Sequence, residues 1–372
     1  MSDQPIVSGT FAPRYDAVAR AMLANFEDFA ELGVSFAAVL DGQTIVDIRA
    51  GWTTRKKQYP WADDTIACVY SSGKAVQSLL VARAVSSGAL DYERPIADYW
   101  PEFGANGKQA ITVAQGLSHQ GGLCGFREEM APEDWLDWDK VCTRLAGATP
   151  LWEPGTANGY HPQTAGLIGG ELIRRTTGKS VGAHLRSEGR ALFCGLGADE
   201  MARSAQMPKP PKPPDLGTIN EFTSLAFLKP WSSPGKVSRE AWMAAELPAS
   251  NMHANAKALA EIMHPFAVGG AAPMPEHVID PDVVKAALAP RITGDDLVLP
   301  FRLTWAAGLM ANGEGRFGPS PRAFGHAGFG GSCVMVDPDR RLSAAYVMNQ
   351  MSPHLVGDPR AVRLISALYN CL

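Results

Sequence analysis

From the amino end, apolar side chains first recur at the spacing of a helix. Residues 14–32, RYDAVARAMLANFEDFAEL, place Val18, Met22, Phe26 and Phe29 on one face, and Gly33 fits a helix stop. The pattern then changes to VSFAAVLDGQTIVDIRAGW, where two β-rich runs flank Asp41-Gly42. That dipeptide favours a type I′ turn, so a hairpin is predicted. A helix follows over about 72–88: Ala75, Val76, Leu79, Leu80 and the run from Ala82 to Val85 give an apolar face, and Gly88 ends it.

Residues 90 to about 290 read as helical and loop-rich. QTAGLIGGELIRRTTGKSV predicts a buried helix stopped by Gly178. The stretch PKPPKPPDLG from Pro208 cannot be helical and predicts an extended loop. From Leu303 the strand pattern returns. FGGSCVMVDPDRRLSAAYVMNQ predicts a second hairpin turning at Asp337–Arg341, and 358–370 predict a terminal helix. Two N-terminal strands cannot stand alone as a sheet. The expected architecture is therefore mixed α/β (α+β). Residues 1–66 and 290–372 form one lobe, an antiparallel sheet with N- and C-terminal helices. Residues 67–289 form an inserted all-helical lobe with long loops, including the Pro-rich loop 208–214.

Composition narrows the function classes. The chain has 372 residues, enough for ample core, with 46% apolar and 19% charged residues. A net charge of −4 without a Lys/Arg run argues against a nucleic-acid or membrane-binding surface. No stretch is apolar enough to span a bilayer, and the N-terminus lacks the apolar core of a signal peptide. The six cysteines (68, 124, 142, 194, 333, 371) are scattered, which favours reduced thiols and a cytoplasmic location. With no His-Glu-x-x-His and no Cys/His cluster, neither a metal nor an organic cofactor is expected.

One short stretch carries candidate chemistry. In CVYSSGKAVQSLL, Lys74 follows Ser71 by three residues, where the chain enters an apolar helix. Residues three apart share a helix face. Two readings are open: a helix start with a solvated lysine, or a nucleophile with its base. The second needs the lysine neutral, which burial and the positive end of the helix dipole both favour. Backbone N–H groups at such a start can hold an oxyanion. Ser72 lacks a lysine three residues on, so the spacing selects Ser71. A Walker A loop is excluded, since Cys68 stands where its first glycine belongs and Ala75 where its Ser/Thr belongs. Gly330-Gly331-Ser332-Cys333-Val334 lacks the last glycine of an esterase nucleophile elbow.

Four blocks in order extend the signal: VYSSGK, ITVAQGLSHQGGL, WEPGTANGYHPQTAGLIGGELIRRTTGKS and FGHAGFGGSCVMVDPDRRLSAAYVMN. Over roughly residues 15 to 370, and most weakly between 200 and 300, the chain resembles the serine β-lactamase-like superfamily. That superfamily includes class C β-lactamases, D-alanyl-D-alanine peptidases and family VIII carboxylesterases, and the look is closest to the last. The resemblance implies that Ser71 is the acylated serine and Lys74 its base. Tyr160 would be the tyrosine of a Tyr-x-Asn element, with its phenol shifted toward phenolate beside an ammonium. The backbone N–H groups of Ser71 and Phe329 would form the oxyanion hole.

Two positions depart from the family pattern. Pro162 replaces the asparagine of Tyr-x-Asn, and His326-Ala327-Gly328 replaces Lys-Thr-Gly. A histidine is mostly neutral at pH 7, so a carboxylate-docking cation is missing. His326 and Gly328 are candidate substrate-binding positions, a site role for His326 being preferred to the blander reading of a strand histidine with a satisfied hydrogen bond. His161 and Trp231 are candidate pocket residues. His119 reads as structural, Trp152 and Trp305 as core or wall. The expectation is a serine hydrolase that cleaves small, uncharged, short-acyl carboxylic esters. A β-lactamase, D-amino-acid peptidase, amidase or acyltransferase on the same site stays open, as does a catalytically silent binding protein.

Overall fold

A computed structural model describes residues 5–372. Its centre is a nine-stranded antiparallel sheet. The strands are β1 (Ser8–Phe11), β2 (Gly33–Leu40), β3 (Gln43–Gly51), β7 (Ile292–Asp295), β8 (Arg302–Trp305), β9 (Met310–Ala311), β10 (Phe324–Ala327), β11 (Cys333–Asp337) and β12 (Leu342–Met348). A small ribbon of β4 (Ala67–Cys68), β5 (Leu192–Phe193) and β6 (His253–Ala254) lies apart from it, so the segment 67–289, expected to be all-helical, carries three short strands that pair across it. The order in the large sheet is β1-β3-β2-β12-β11-β10-β9-β8-β7. The two ends of the chain meet where β2 pairs with β12, from Val34↔Met348 to Leu40↔Leu342.

Both hairpins form. Asp41 and Gly42 have φ of 49° and 81°, the left-handed pair that a type I′ turn requires, and close β2 on β3 at Leu40↔Gln43. Asp337↔Leu342 closes the second. Successive side chains in a strand point to opposite faces. Along β11, Val334 and Val336 therefore enter one core, and Cys333 and Met335 the other. Both faces are covered, which is why β2 and β12 read as nearly unbroken apolar runs. On one side lie α1 (Asp16–Asp28) and α5 (Pro359–Tyr369). On the other are α2 (Gly73–Ser86), α3 (Thr164–Thr177) and α4 (Ala256–Ala267), packed with the rest of the helical lobe.

Two elements differ from the sequence expectation. Helix α1 ends at Asp28 rather than continuing to Gly33, because Phe29 is already extended (φ −128°, ψ 159°) and Glu31 is drawn to a buried Arg360. Gly33 opens β2 instead, where a side chain would strike the Trp52 carbonyl. Helix α2 is buried around almost its whole circumference, Lys74, Gln77 and Ser78 included. Its polar groups therefore need internal partners. Gln77 donates to the Ala165 carbonyl (2.8 Å), and Ser78 to that of Ala307 (2.5 Å).

Helix α2 crosses α3 closely because Gly169 presents no side chain to it; a Cβ there would land on the Gln77 amide. Gly169→Ala is expected to destabilise the protein by about 1–3 kcal/mol through overpacking. Urea unfolding measures this, and an unchanged midpoint would refute the tight crossing.

Candidate active site

The chain reaches Ser71 through Tyr70, whose φ of 44° marks a sharp turn, and a short 3-10 segment, Tyr70–Ser72, leads straight into α2. Ser71 therefore sits at a helix start, where the first N–H groups lack intrahelical acceptors. One turn on, Lys74 is 4% exposed. Its Nζ lies 2.9 Å from Ser71 Oγ, 3.0 Å from Tyr160 OH, 2.8 Å from the Pro162 carbonyl and 3.1 Å from the Ala249 carbonyl. No carboxylate is among these partners. Burial therefore acts unopposed and holds the ammonium pKa well below the usual lysine value.

The partner set suits a neutral amine. Two carbonyls, which only accept, take its two protons. Its lone pair is then left for a hydroxyl, that of Ser71 or Tyr160. The expectation of a phenolate at Tyr160 is overturned. Burial pushes the phenol up, the Ser71 hydroxyl opposes this weakly, and the Asp296 carboxylate adds to the rise. The ammonium that was to lower it is itself disfavoured. Burial thus favours the neutral forms of Lys74 and Tyr160 in a hydrogen-bonded set with Ser71.

Tyr160 is held by its surroundings. Its ring stacks on Trp305 at 5.9 Å and 13°, and Phe227 covers it at 6.5 Å and 26°. Its backbone N–H donates to Asp296 (2.9 Å), which also accepts from Asn158 Nδ2 and from the N–H groups of Val298 and Leu299. Sequence reasoning missed Asp296. In ITGDDLVLP nothing separates it from its solvent-facing neighbour Asp295.

Strand β10 brings His326 to the floor. Its Nδ1 lies 2.8 Å from the Ala327 carbonyl and so carries the ring proton; Nε2 is buried and unpartnered. Burial lowers its pKa to about 3, so the ring stays neutral. Gly328 does not line the cavity. It allows close approach, since a Cβ there would strike the Val69 carbonyl and the Ser332 hydroxyl. Ser332 Oγ donates to Val69 O (2.7 Å) and lies 3.0 Å from Ser72 Oγ, which donates to His326 O (3.3 Å). This seam fastens the turn at Ser71 to β10 and β11. Phe329 follows and lines the cavity, and its N–H meets no backbone carbonyl among the described residues.

Two expected pocket residues lie elsewhere. His161 is a strut: Nε2 accepts from Leu123 N–H (2.9 Å), and Nδ1 donates to Gly159 O (2.5 Å). Trp231 packs against the helical core and donates to Phe126 O (2.9 Å). His119 accepts from the His161 N–H (3.2 Å) in the interior. Trp152 donates to the Ala157 carbonyl (3.3 Å). The cavity above Ser71, about 650 Å³, is walled instead by Tyr70, Phe227, Leu228 and Trp242, with Pro213, Pro214 and Leu216 from the proline-rich loop. Its one charged lining side chain among the described residues is Lys209, exposed on that loop. No cluster able to hold a metal ion occurs among the described residues, and no helix there is long and apolar enough to cross a membrane.

Known proteins resemble the chain along most of its length. The Beta-lactamase family model matches residues 22–368. The chain is 31% identical to "Esterase/beta-lactamase LipL" of Mycobacterium tuberculosis, covering 94% of this chain and 84% of that protein. It superposes with a TM-score of 0.95 on a penicillin-binding protein homolog from Caulobacter crescentus, at 44% identity over 99% of this chain and 100% of that one. A family VIII carboxylesterase superposes at 0.91, with 38% identity and the same coverage.

Asp296→Ala should loosen the Tyr160 loop. Labelling of Ser71 by a fluorophosphonate is expected to slow by about 10–100-fold, the cost of misplacing a reacting group by an ångström or so. An unchanged labelling rate in a folded variant would show that Asp296 does not position Tyr160.

Proposed function

The chain belongs to the Beta-lactamase family, and from that premise we propose that it is a serine carboxylesterase working through an acyl-enzyme on Ser71. The observation that carries this is the buried Lys74 amine, without a counter-charge, in contact with both Ser71 and Tyr160. Ser71 Oγ attacks the substrate carbonyl as its proton passes to Lys74. The N–H groups of Ser71 and Phe329 receive the oxyanion. Tyr160 relays the proton from Lys74 to the departing alcohol. Water, activated by the same pair, then releases the acid.

Substrate preference follows from charge and space. Where the family's carboxylate-docking lysine stands, this chain holds a neutral imidazole that is already donating to Ala327. An uncharged ester fits that floor better than a β-lactam or D-alanine carboxylate. Cavities of 300–1,000 Å³ accommodate drug-sized molecules. A wall of Tyr70, Phe227, Leu228 and Trp242 around about 650 Å³ therefore favours an ester with a bulky apolar group over the short acyl chain expected from sequence. Similarity to an esterase/beta-lactamase, LipL, keeps β-lactam cleavage as a second reading.

Ser71→Ala and Lys74→Ala should each abolish turnover of p-nitrophenyl butyrate, with nitrocefin cleaved poorly by the wild type. Dominant nitrocefin cleavage would transfer the assignment to a β-lactamase, and ester turnover surviving in Lys74→Ala would refute the base. His326→Lys should shift the ratio toward nitrocefin; an unchanged ratio would free residue 326 of that role. The pH profile is a further check. The active base is the neutral amine, so activity is lost as pH falls through the lysine pKa. Because burial holds that pKa well below the ordinary lysine value, kcat/KM should reach its plateau before the pH at which a solvated lysine titrates. A rate still climbing toward pH 10 would mean an ordinary, charged Lys74.

A further inference from the structure

We propose that Arg360 is a positioning residue for the oxyanion hole: it clamps the Gly330 carbonyl and so aims the Phe329 N–H at the substrate. This rests on the acyl-enzyme reading above.

The loop between β10 and β11 closes on itself. Gly328 N–H donates to Ser332 O (2.8 Å), and Gly331 N–H to Gly328 O (3.0 Å). A trans peptide is planar, with its C=O and N–H pointing opposite ways. The Gly328 carbonyl is turned inward to Gly331, so the Phe329 N–H of the same peptide unit points out of the turn. Its aim is therefore set by the shape of the turn. Yet the next two residues, Gly330 (φ 93°) and Gly331 (φ 122°), are glycines in left-handed conformations with little steric preference of their own.

The restraint comes from outside the loop. The Gly330 carbonyl accepts from Arg360 Nη2 (2.9 Å) and from the Ser352 N–H (2.9 Å). Both donors are tied to Asp358. Arg360 forks onto it through Nε (3.1 Å) and Nη2 (2.9 Å), and the Ser352 hydroxyl donates to it (2.5 Å). The Asp358 carboxylate also fills the space where Gly331 would carry a Cβ. Arg360 Nη1 reaches Glu31 (3.0 Å) and the Gln350 carbonyl (2.8 Å). The side chains of Arg360, Asp358 and Glu31 are 3%, 3% and 0% exposed. Burying such a triad costs several kcal/mol per ion before pairing offsets it, and apolar groups of equal volume often stabilise as well. An apolar group could fasten α5 to the sheet. It could not supply a directed donor for Gly330 O.

Arg360→Lys keeps the charge and loses the fork. Asp358→Asn keeps the shape and weakens the hold on both donors, and it serves if the lysine variant does not fold. Each is titrated with an apolar trifluoromethyl ketone, whose carbonyl carbon bonds to Ser71 Oγ while the ketone oxygen becomes the oxyanion. Each is also titrated with the matching carbinol, which fills the cavity without that bond. Losing an oxyanion donor outright costs about 10²–10³ in kcat, and misaiming one should cost about 10–100-fold. The expected result is that kcat and ketone affinity fall together by that factor, while carbinol affinity stays within about two-fold. Ketone and carbinol weakening equally, or neither changing, would overturn the proposal and leave Ser71 acylation standing. A wild type that forms no ketone adduct would overturn both.

Discussion

The site depends on a single constraint, the burial of a lysine with no carboxylate to pair with. An ammonium in that position would cost several kcal/mol of desolvation with nothing nearby to repay it. The amine is therefore held neutral. A neutral amine between two carbonyls has its lone pair left for the Ser71 or Tyr160 hydroxyl, so in the proposed mechanism the base is produced by the fold rather than by a neighbouring charge. The phenol of Tyr160 obeys the same rule from the other side. Burial opposes its ionisation, so the neutral pair is favoured over an ion pair.

That constraint explains the lobes' tight joining. Lys74 stays dry only if α2 is enclosed, and it is enclosed by the helical lobe on one side and the sheet on the other. The seam at Ser72, Ser332 and Gly328 fastens them at the site itself. In the proposed mechanism it brings Ser71, at the helix start, together with Phe329, in the loop after β10, as one oxyanion hole. Polar side chains do this fastening where apolar contact alone would leave the two N–H groups free to drift.

The proposed substrate preference rests on a side chain at the floor of the cavity, within a fold shared with the family. The chain matches a family VIII carboxylesterase and a penicillin-binding protein homolog along nearly its whole length. The imidazole at 326 is buried beside Tyr160 and Trp305 and bonded to the next carbonyl, so it carries no charge to offer a carboxylate. Specificity is then left to the shape and apolar character of the walls, above all the segment carrying Phe227 and Trp242 and the proline-rich loop above it.

Much was legible from sequence because it depends on local rules. Asp41-Gly42 needs two left-handed residues, strands covered on both faces read as continuous apolar runs, and Ser71 with Lys74 share a helix face three residues apart. These features depend on nearest neighbours and on period. What tertiary structure alone decided involves partners distant in the chain. The burial of Lys74 involves segments distant in the chain, among them Pro162 and Ala249, whose carbonyls take its protons. The hold on Tyr160 comes from Asp296, 136 positions away, and the end of α1 is set by Arg360. His161 and Trp231 sit near the site in sequence terms, yet both spend their polar groups on backbone carbonyls and N–H groups elsewhere, while Trp242 reaches the cavity. Spacing along a chain names the groups that can react; only the packing of distant segments sets their solvent exposure, and with it their charge and role.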